Sequence, residues 1–208
     1  MSSDRPSGDR SSAHSASHGD LAGLVATRGA PLIEALETHV PGAAEHAEAT
    51  AAYSFAAAVE LGFERARCET AREAAKLHDV GRVYVPAELL TKPNEALTET
   101  ERETIESHHE AGARLVRGAG IPELVCEWIL HARERFDGRG PDGMVAVQIP
   151  VESRIIRAAC TCDRLLSAPE ASNDHRRFAI EGLRQRAGHE LDPRMVDALI
   201  AVLTRAQG

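Results

Sequence analysis

The spacing of apolar residues leaves this chain one fold class. Leu32, Ile33 and Leu36 recur at the three- and four-residue spacing of a helix face and stop at Pro41-Gly42. Residues 43–61 carry Tyr53, Phe55, Val59 and Leu61 on an alanine-rich amphipathic stretch ended by Gly62. A further helix is expected over 65–79, a short one from Pro86 through Leu90, and one opened by the Thr98-x-x-Glu101 capping box that carries Ile105, His108, Gly112 and Leu115. Others are expected to start at Pro122, to span 151–167, and to follow Asp192-Pro193, where an N-cap precedes proline at the first helical position. Residues 137–143 read as a glycine-rich loop, and Val145 to Ile149 is the one strand candidate. The expected fold class is all-α.

Charge and cysteine usage narrow the function. Acidic residues outnumber basic ones, for a net charge of −8, which argues against nonspecific nucleic-acid binding through many phosphate contacts. Only Lys76 and Lys92 are lysine, and the other 22 cations are arginine. A local arginine cluster for a small anion stays compatible with the acidic total. The four cysteines (Cys68, Cys126, Cys160, Cys162) form no Cys-x-x-Cys pattern and no disulfide framework. No run reaches a membrane span, and the start lacks the apolar stretch of a signal peptide. A reduced, cytoplasmic protein is expected, with residues 1–20 a disordered tail and residues 21–208 one domain.

The strongest chemical signal is His78-Asp79 at a helix end, with His46 on an earlier helix and His108 on a later one. Neighbours on a helix point roughly 100° apart, so this doublet converges on one ion only if the backbone bends or the ion sits between the two directions. A carboxylate can bridge two ions through its two oxygens, whereas an imidazole gives one lone pair to one ion.

The surrounding text extends the signal. Ala74 to Arg82, Val85 to Pro93, Leu97-Thr98, His108 to Gly112, Glu134 to Gly138, Gln148 to Pro150, Arg154 to Ile156 and Gly188 to Pro193 follow one another in order. In order and spacing they resemble the HD-GYP family of the HD-domain metal-dependent phosphohydrolases, from about residue 31 to residue 204. The resemblance implies an HD-type helical bundle. It also implies, for active members, hydrolysis of cyclic di-GMP at a centre of two or three metals, often iron or manganese. Carried over by position, His46, His78, Asp79 and His108 are metal ligands.

The resemblance then breaks. The family's His-His doublet before Glu134-Arg135 falls on Ala132 and Arg133, with His131 one residue early. The late metal-binding aspartate is Cys160, with Asp163 kept one turn on; the lysine after the doublet is Arg82; and Gly140 runs directly into Pro141 without the tyrosine. The metal set expected here is His46, His78, Asp79, His108 and Cys160, holding one divalent ion (zinc, iron or manganese) or none. His46, His78, Asp79 and Cys160 are a plausible tetrahedral set, softer than the family's own.

Arg82, Arg133 and Arg139 are expected to form a cationic mouth for substrate phosphate. Asp79 and Arg82 would act in catalysis if any survives, and Arg133 is expected to occupy the second-metal space or pair with Asp79. Two functions are open. One is a degenerate domain that binds a nucleotide, a cyclic dinucleotide, a protein partner or a second copy of itself, without normal cyclic di-GMP hydrolysis. The other is a metal-dependent phosphodiesterase with a reduced, mononuclear site.

Overall fold

Alanine lets helices approach closely, and buried alanines line the main helix crossings of this chain. In a computed structural model describing residues 18–169 and 174–205, the first helices are α1 (His18–His39), α2 (Ala43–Glu60) and α3 (Arg65–Lys76). They are followed by α4 (Ala87–Leu90), α5 (Glu99–Glu106), α6 (His108–Gly118), α7 (Glu123–Leu130), α8 (Val151–Leu166), α9 (His175–Arg186) and α10 (Pro193–Arg205). Ala57 and Ala58 on α2 and Ala158 and Ala159 on α8 are fully buried, and the two helices pack directly on each other. α8 is apolar on two sides. Ile156 joins the core built by α1, α3, α6 and α7, while Ile155, Ala158 and Cys162 join the core shared with α2, α9 and α10. The central α8 is thereby fixed by burial on both flanks, and so is whatever it points between them.

No strand forms among the described residues. The stretch Val145 to Ile149 makes one isolated antiparallel bridge, from Val145 to Asp137, and then a 3-10 turn over Ala146–Gln148. It has no second strand to pair with, and Ile149 alone is buried, as an anchor before α8. No described helix is long and apolar enough to cross a membrane. Residues 1–17 of the expected tail lie outside the described residues, and α1 already begins at His18.

Two helix boundaries differ from the sequence reading, and both matter. The helix expected over 65–79 ends at Lys76. The backbone then tightens, with Leu77 N–H donating to Ala74 O at 3.0 Å, His78 to Ala75 at 3.3 Å and Val80 to Leu77 at 3.2 Å, into a 3-10 turn over Val80–Tyr84. The helix after the capping box, which forms as expected, breaks at Ser107 into α5 and α6, and His108 opens α6.

Candidate metal centre

The tight turn after α3 supplies the bend that a His-Asp doublet needs. Asp79 has φ −109° and ψ 5°, outside the helix, so His78 and Asp79 face the same space. The turn sits against the start of α6 because Gly81 has no side chain: a Cβ there would lie 1.7 Å from His108 O and 2.5 Å from Gly112 N. This contact carries His108 to Asp79, with Nε2 at 3.2 Å from Oδ1. On the other side of the carboxylate, Oδ2 lies 3.5 Å from His78 Nε2 and 3.9 Å from His46 Nε2. Cys160 Sγ on α8 is 3.6 Å from His46 Nε2. The five expected metal residues therefore form one connected chain of contacts, from His108 through Asp79 and His78 to half-buried His46 and then Cys160.

Each imidazole is held with a defined face inward. His78 Nδ1 donates to Ala75 O at 2.7 Å, and His108 Nδ1 donates to Ile105 O. His46 Nδ1 bonds Asp163 Oδ2 at 2.6 Å. These bonds fix which nitrogen faces the site, as outer partners of metal-binding histidines do. His78 Nε2 is left buried with no hydrogen-bond partner. Ideal tetrahedral geometry around a zinc-sized ion separates N, O and S ligand atoms by about 3.4–3.6 Å, given bonds of 2.0–2.3 Å. His46, His78 and Cys160 offer ligand atoms all within 4.8 Å of one another, with Nε2 of His46 3.6 Å from Sγ of Cys160, while Asp79 stands at the edge of this group, 3.5 Å from His78 Nε2 and 3.9 Å from His46 Nε2. The donor set His46, His78 and Cys160 has the chemistry to hold one ion with two nitrogen ligands and one sulfur, with Asp79 beside it.

Electrostatics prepare two of these donors. Burial pushes the Cys160 thiol up, but His78, His46 and Arg164 outweigh it and hold the group well below the ordinary thiol range. Burial likewise opposes ionisation of Asp79, yet His78, Arg82, His108 and Arg164 hold its carboxyl well below the usual value. For His46, burial works against the charged form and is overcome by Asp163 and Cys160, which lift it to about 9.

The arginines are arranged differently from the expected single mouth. Arg82 Nε lies 3.0 Å from Asp79 Oδ2, and Arg164, which sequence reading missed, approaches the same oxygen to 3.6 Å. Arg133 makes no ion pair with Asp79 or with any carboxylate among the described residues, because Arg82 and Arg164 already occupy that carboxylate. Arg133 instead stands half-buried between two cavities. One is lined by His78, Cys160, Arg157 and Arg164, the other by His109, Arg139 and Arg157. Arg82 and Arg139 therefore line separate cavities. A recognisable signal existed for Arg164: Arg157, Cys160 and Arg164 lie three and four residues apart, on one face of α8.

His131 stays outside the centre, with Nε2 3.2 Å from Glu127 and Nδ1 3.3 Å from Asp142. It does group with Glu134 and Asp142, but Glu134 is committed, accepting the Asp142 N–H at 2.6 Å and the Met144 N–H at 3.2 Å. Arg135 grips Asp137 at 3.0 and 2.8 Å, and both pairs fix the glycine-rich loop.

Comparison with known proteins points the same way. A family model described as HD domain matches residues 31–195. A cyclic di-GMP phosphodiesterase response regulator of Xanthomonas campestris is 36% identical over 147 residues, 69% of this chain and 39% of that protein. A cyclic di-GMP phosphodiesterase of Thermotoga maritima is 29% identical over 169 residues, 79% of this chain and 44% of that protein. The chain spans less than half the length of these relatives. Among solved structures, an HD-GYP-type protein from Bdellovibrio bacteriovorus matches at TM-score 0.65 and 19% identity, over 90% of this chain and 61% of that one. The L. monocytogenes phosphodiesterase PgpH HD domain, in complex with cyclic-di-AMP, matches at TM-score 0.62 and 18% identity, over 85% and 96%.

Proposed function

Because this chain belongs to the HD-domain family, in its HD-GYP branch, we propose that it is a phosphate-ester-binding domain built on one soft metal site, without the normal hydrolysis of cyclic di-GMP. The observation that supports this reading is the grouping of His46, His78 and Cys160 ligand atoms within 4.8 Å of one another, with Asp79 Oδ2 3.5 Å from His78 Nε2 and His78 Nε2 itself without a hydrogen-bond partner. Two nitrogens, one oxygen and one thiolate suit zinc better than manganese, which prefers oxygen.

A second ion is disfavoured by what surrounds His108. Beyond Asp79 Oδ1 and His108 Nε2, the positions of the family doublet are Ala132 and Arg133, which supply no imidazole. Two donors are too few for a second site, and a fixed cation beside them repels a dication. In-line displacement of a phosphodiester gains several kcal/mol when two metals clamp the attacking and leaving oxygens, so loss of one costs most of the rate.

The ligand proposed is a nucleotide or cyclic dinucleotide phosphate. In this reading Arg133, on the wall between the two cavities, and Arg82, beside Asp79, would grip its oxygens. A bound divalent ion would polarise a phosphoryl oxygen and lower the pKa of its water.

Weak hydrolysis at the single site is the second reading, favoured by the survival of Asp79 beside Arg82. In it Asp79 orients the attacking water, and Arg82 offsets charge developing on the phosphate. Equilibrium dialysis of labelled cyclic di-GMP against the zinc-loaded protein, with chromatography of the ligand afterwards, separates the two. Binding with intact ligand supports the binding domain, and steady conversion to linear product with added manganese or iron overturns it.

A further inference from the structure

On the side of Arg133 away from Cys160 lies a cavity of about 330 Å³, within the size range of small-ligand pockets. Its wall carries Arg133, Arg139, Arg157 and His109, with Glu106 as the acidic group on its lining; the fourth arginine there, Arg135, is spent on Asp137. The other three cations are poorly compensated. Arg133 and Arg139 have no carboxylate partner among the described residues. Arg157 donates to two neutral acceptors, Glu190 O at 3.2 Å and Arg133 O at 3.0 Å, and its nearest carboxylate, Glu190, is 4.0 Å away. Burial and the neighbouring Arg133 lower Arg157 to about 10. Burial followed by Arg164 lowers Arg133 as well. Arg133 and Arg157 are thus partly buried like charges side by side, unfavourable unless an anion joins them, and exposed Arg139 completes the rim. His109 adds a second sign: its side chain is 95% buried at this wall, and Nδ1 has no hydrogen-bond partner.

We infer that this cavity is a metal-independent subsite for a terminal phosphate, the phosphomonoester of a nucleotide or free phosphate. Three guanidinium groups around one cavity match a group with three free oxygens and nearly two negative charges. A phosphodiester, with two free oxygens and one charge, satisfies them less well. The inference deepens the ligand half of the proposed function and rests on that half alone, since no metal ligand of the His46–His78–Cys160 group lines this cavity.

The test is calorimetric titration of the full chain with inorganic phosphate, with guanosine 5′-monophosphate, with guanosine and with cyclic di-GMP. The proteins are the parent, Cys160→Ser, Arg139→Ala and Arg133→Gln, with a melting curve for each. Arg139 is exposed on its loop, so its variant keeps the fold. Expected are binding of the phosphate-bearing probes but not of guanosine, and affinity within about threefold of the parent in Cys160→Ser. Loss of a charge-assisted bond should weaken binding roughly tenfold or more in each arginine variant. Tighter binding of the nucleotide than of phosphate assigns the ligand as a nucleotide, and the reverse assigns free phosphate. Three results overturn the subsite: no binding of either probe, loss of binding in Cys160→Ser, or unchanged binding in both arginine variants. Cyclic di-GMP binding with neither monoester probe bound would remove the subsite and leave the proposed function standing.

Discussion

Replacing Gly81 by alanine tests the packing that brings the metal residues together. The added Cβ would sit 1.7 Å from His108 O, 2.5 Å from Gly112 N and 2.8 Å from His108 C, all backbone atoms. No rotamer change relieves such contacts. The start of α6 must retreat by roughly 1.5 Å or more to reach ordinary van der Waals distance. Overpacking in a core costs typically 1–3 kcal/mol, and a backbone-on-backbone clash belongs at the upper end, about 3 kcal/mol. For a domain of this size that lowers the melting temperature by about 6–12 °C. The retreat also draws His108 Nε2 away from Asp79 Oδ1, now 3.2 Å apart. Circular-dichroism melting of the variant beside Gly23→Ala provides the comparison, because a Cβ at exposed Gly23 on α1 meets nothing within 4 Å. Gly23→Ala should be neutral or stabilising by about 0.5–1 kcal/mol. A Gly81→Ala protein that melts within 2 °C of the parent, by the same order-of-magnitude scale, would refute the reasoning.

Three further outcomes follow from the same geometry. Because Arg133 has no carboxylate partner, Arg133→Ala should shift stability by less than about 1 kcal/mol in a chemical-denaturation curve, and a loss of 3–5 kcal/mol would restore the ion pair expected from sequence. Buried Asp192 pairs with largely covered Arg154, tying α8 to the start of α10; Asp192→Ala strands the guanidinium and should cost about 3 kcal/mol in the same assay. His46 is lifted to about 9, so in the metal-free chain its proton stabilises the fold fully below the unfolded value near 6.5, and that contribution is lost as pH rises through 9. Metal must displace this proton, so zinc affinity should climb between pH 6.5 and 9 by at most about tenfold per unit, and a pH-independent affinity would contradict it.

The helical class and most element positions were legible in apolar spacing, and the approach of His46, His78, Asp79, His108 and Cys160 to one another was implied by the family resemblance carried over by position. The stop at Lys76 was not, since His78 and Asp79 continue a plausible helical pattern and only the tight turn onto Gly81 reveals the break. Of the two places expected for Arg133, the second-metal space or Asp79, the pairing with Asp79 does not form, for a related reason. Arg133 stands where the family has a ligand, yet Arg82, three residues beyond Asp79, and Arg164, from the central helix, reach the carboxylate first. Side-chain reach across helices is set by packing, which a linear motif does not record.

Metal content measured by elemental mass spectrometry on protein purified without chelator tests the central claim most directly, with Cys160→Ser prepared in parallel. The expected result is close to one equivalent per chain, zinc in preference to iron or manganese, falling at least about tenfold in apparent affinity when the sulfur ligand is removed. Two or more equivalents, or full occupancy that ignores the Cys160→Ser change, would contradict a single site built on His46, His78, Asp79 and Cys160.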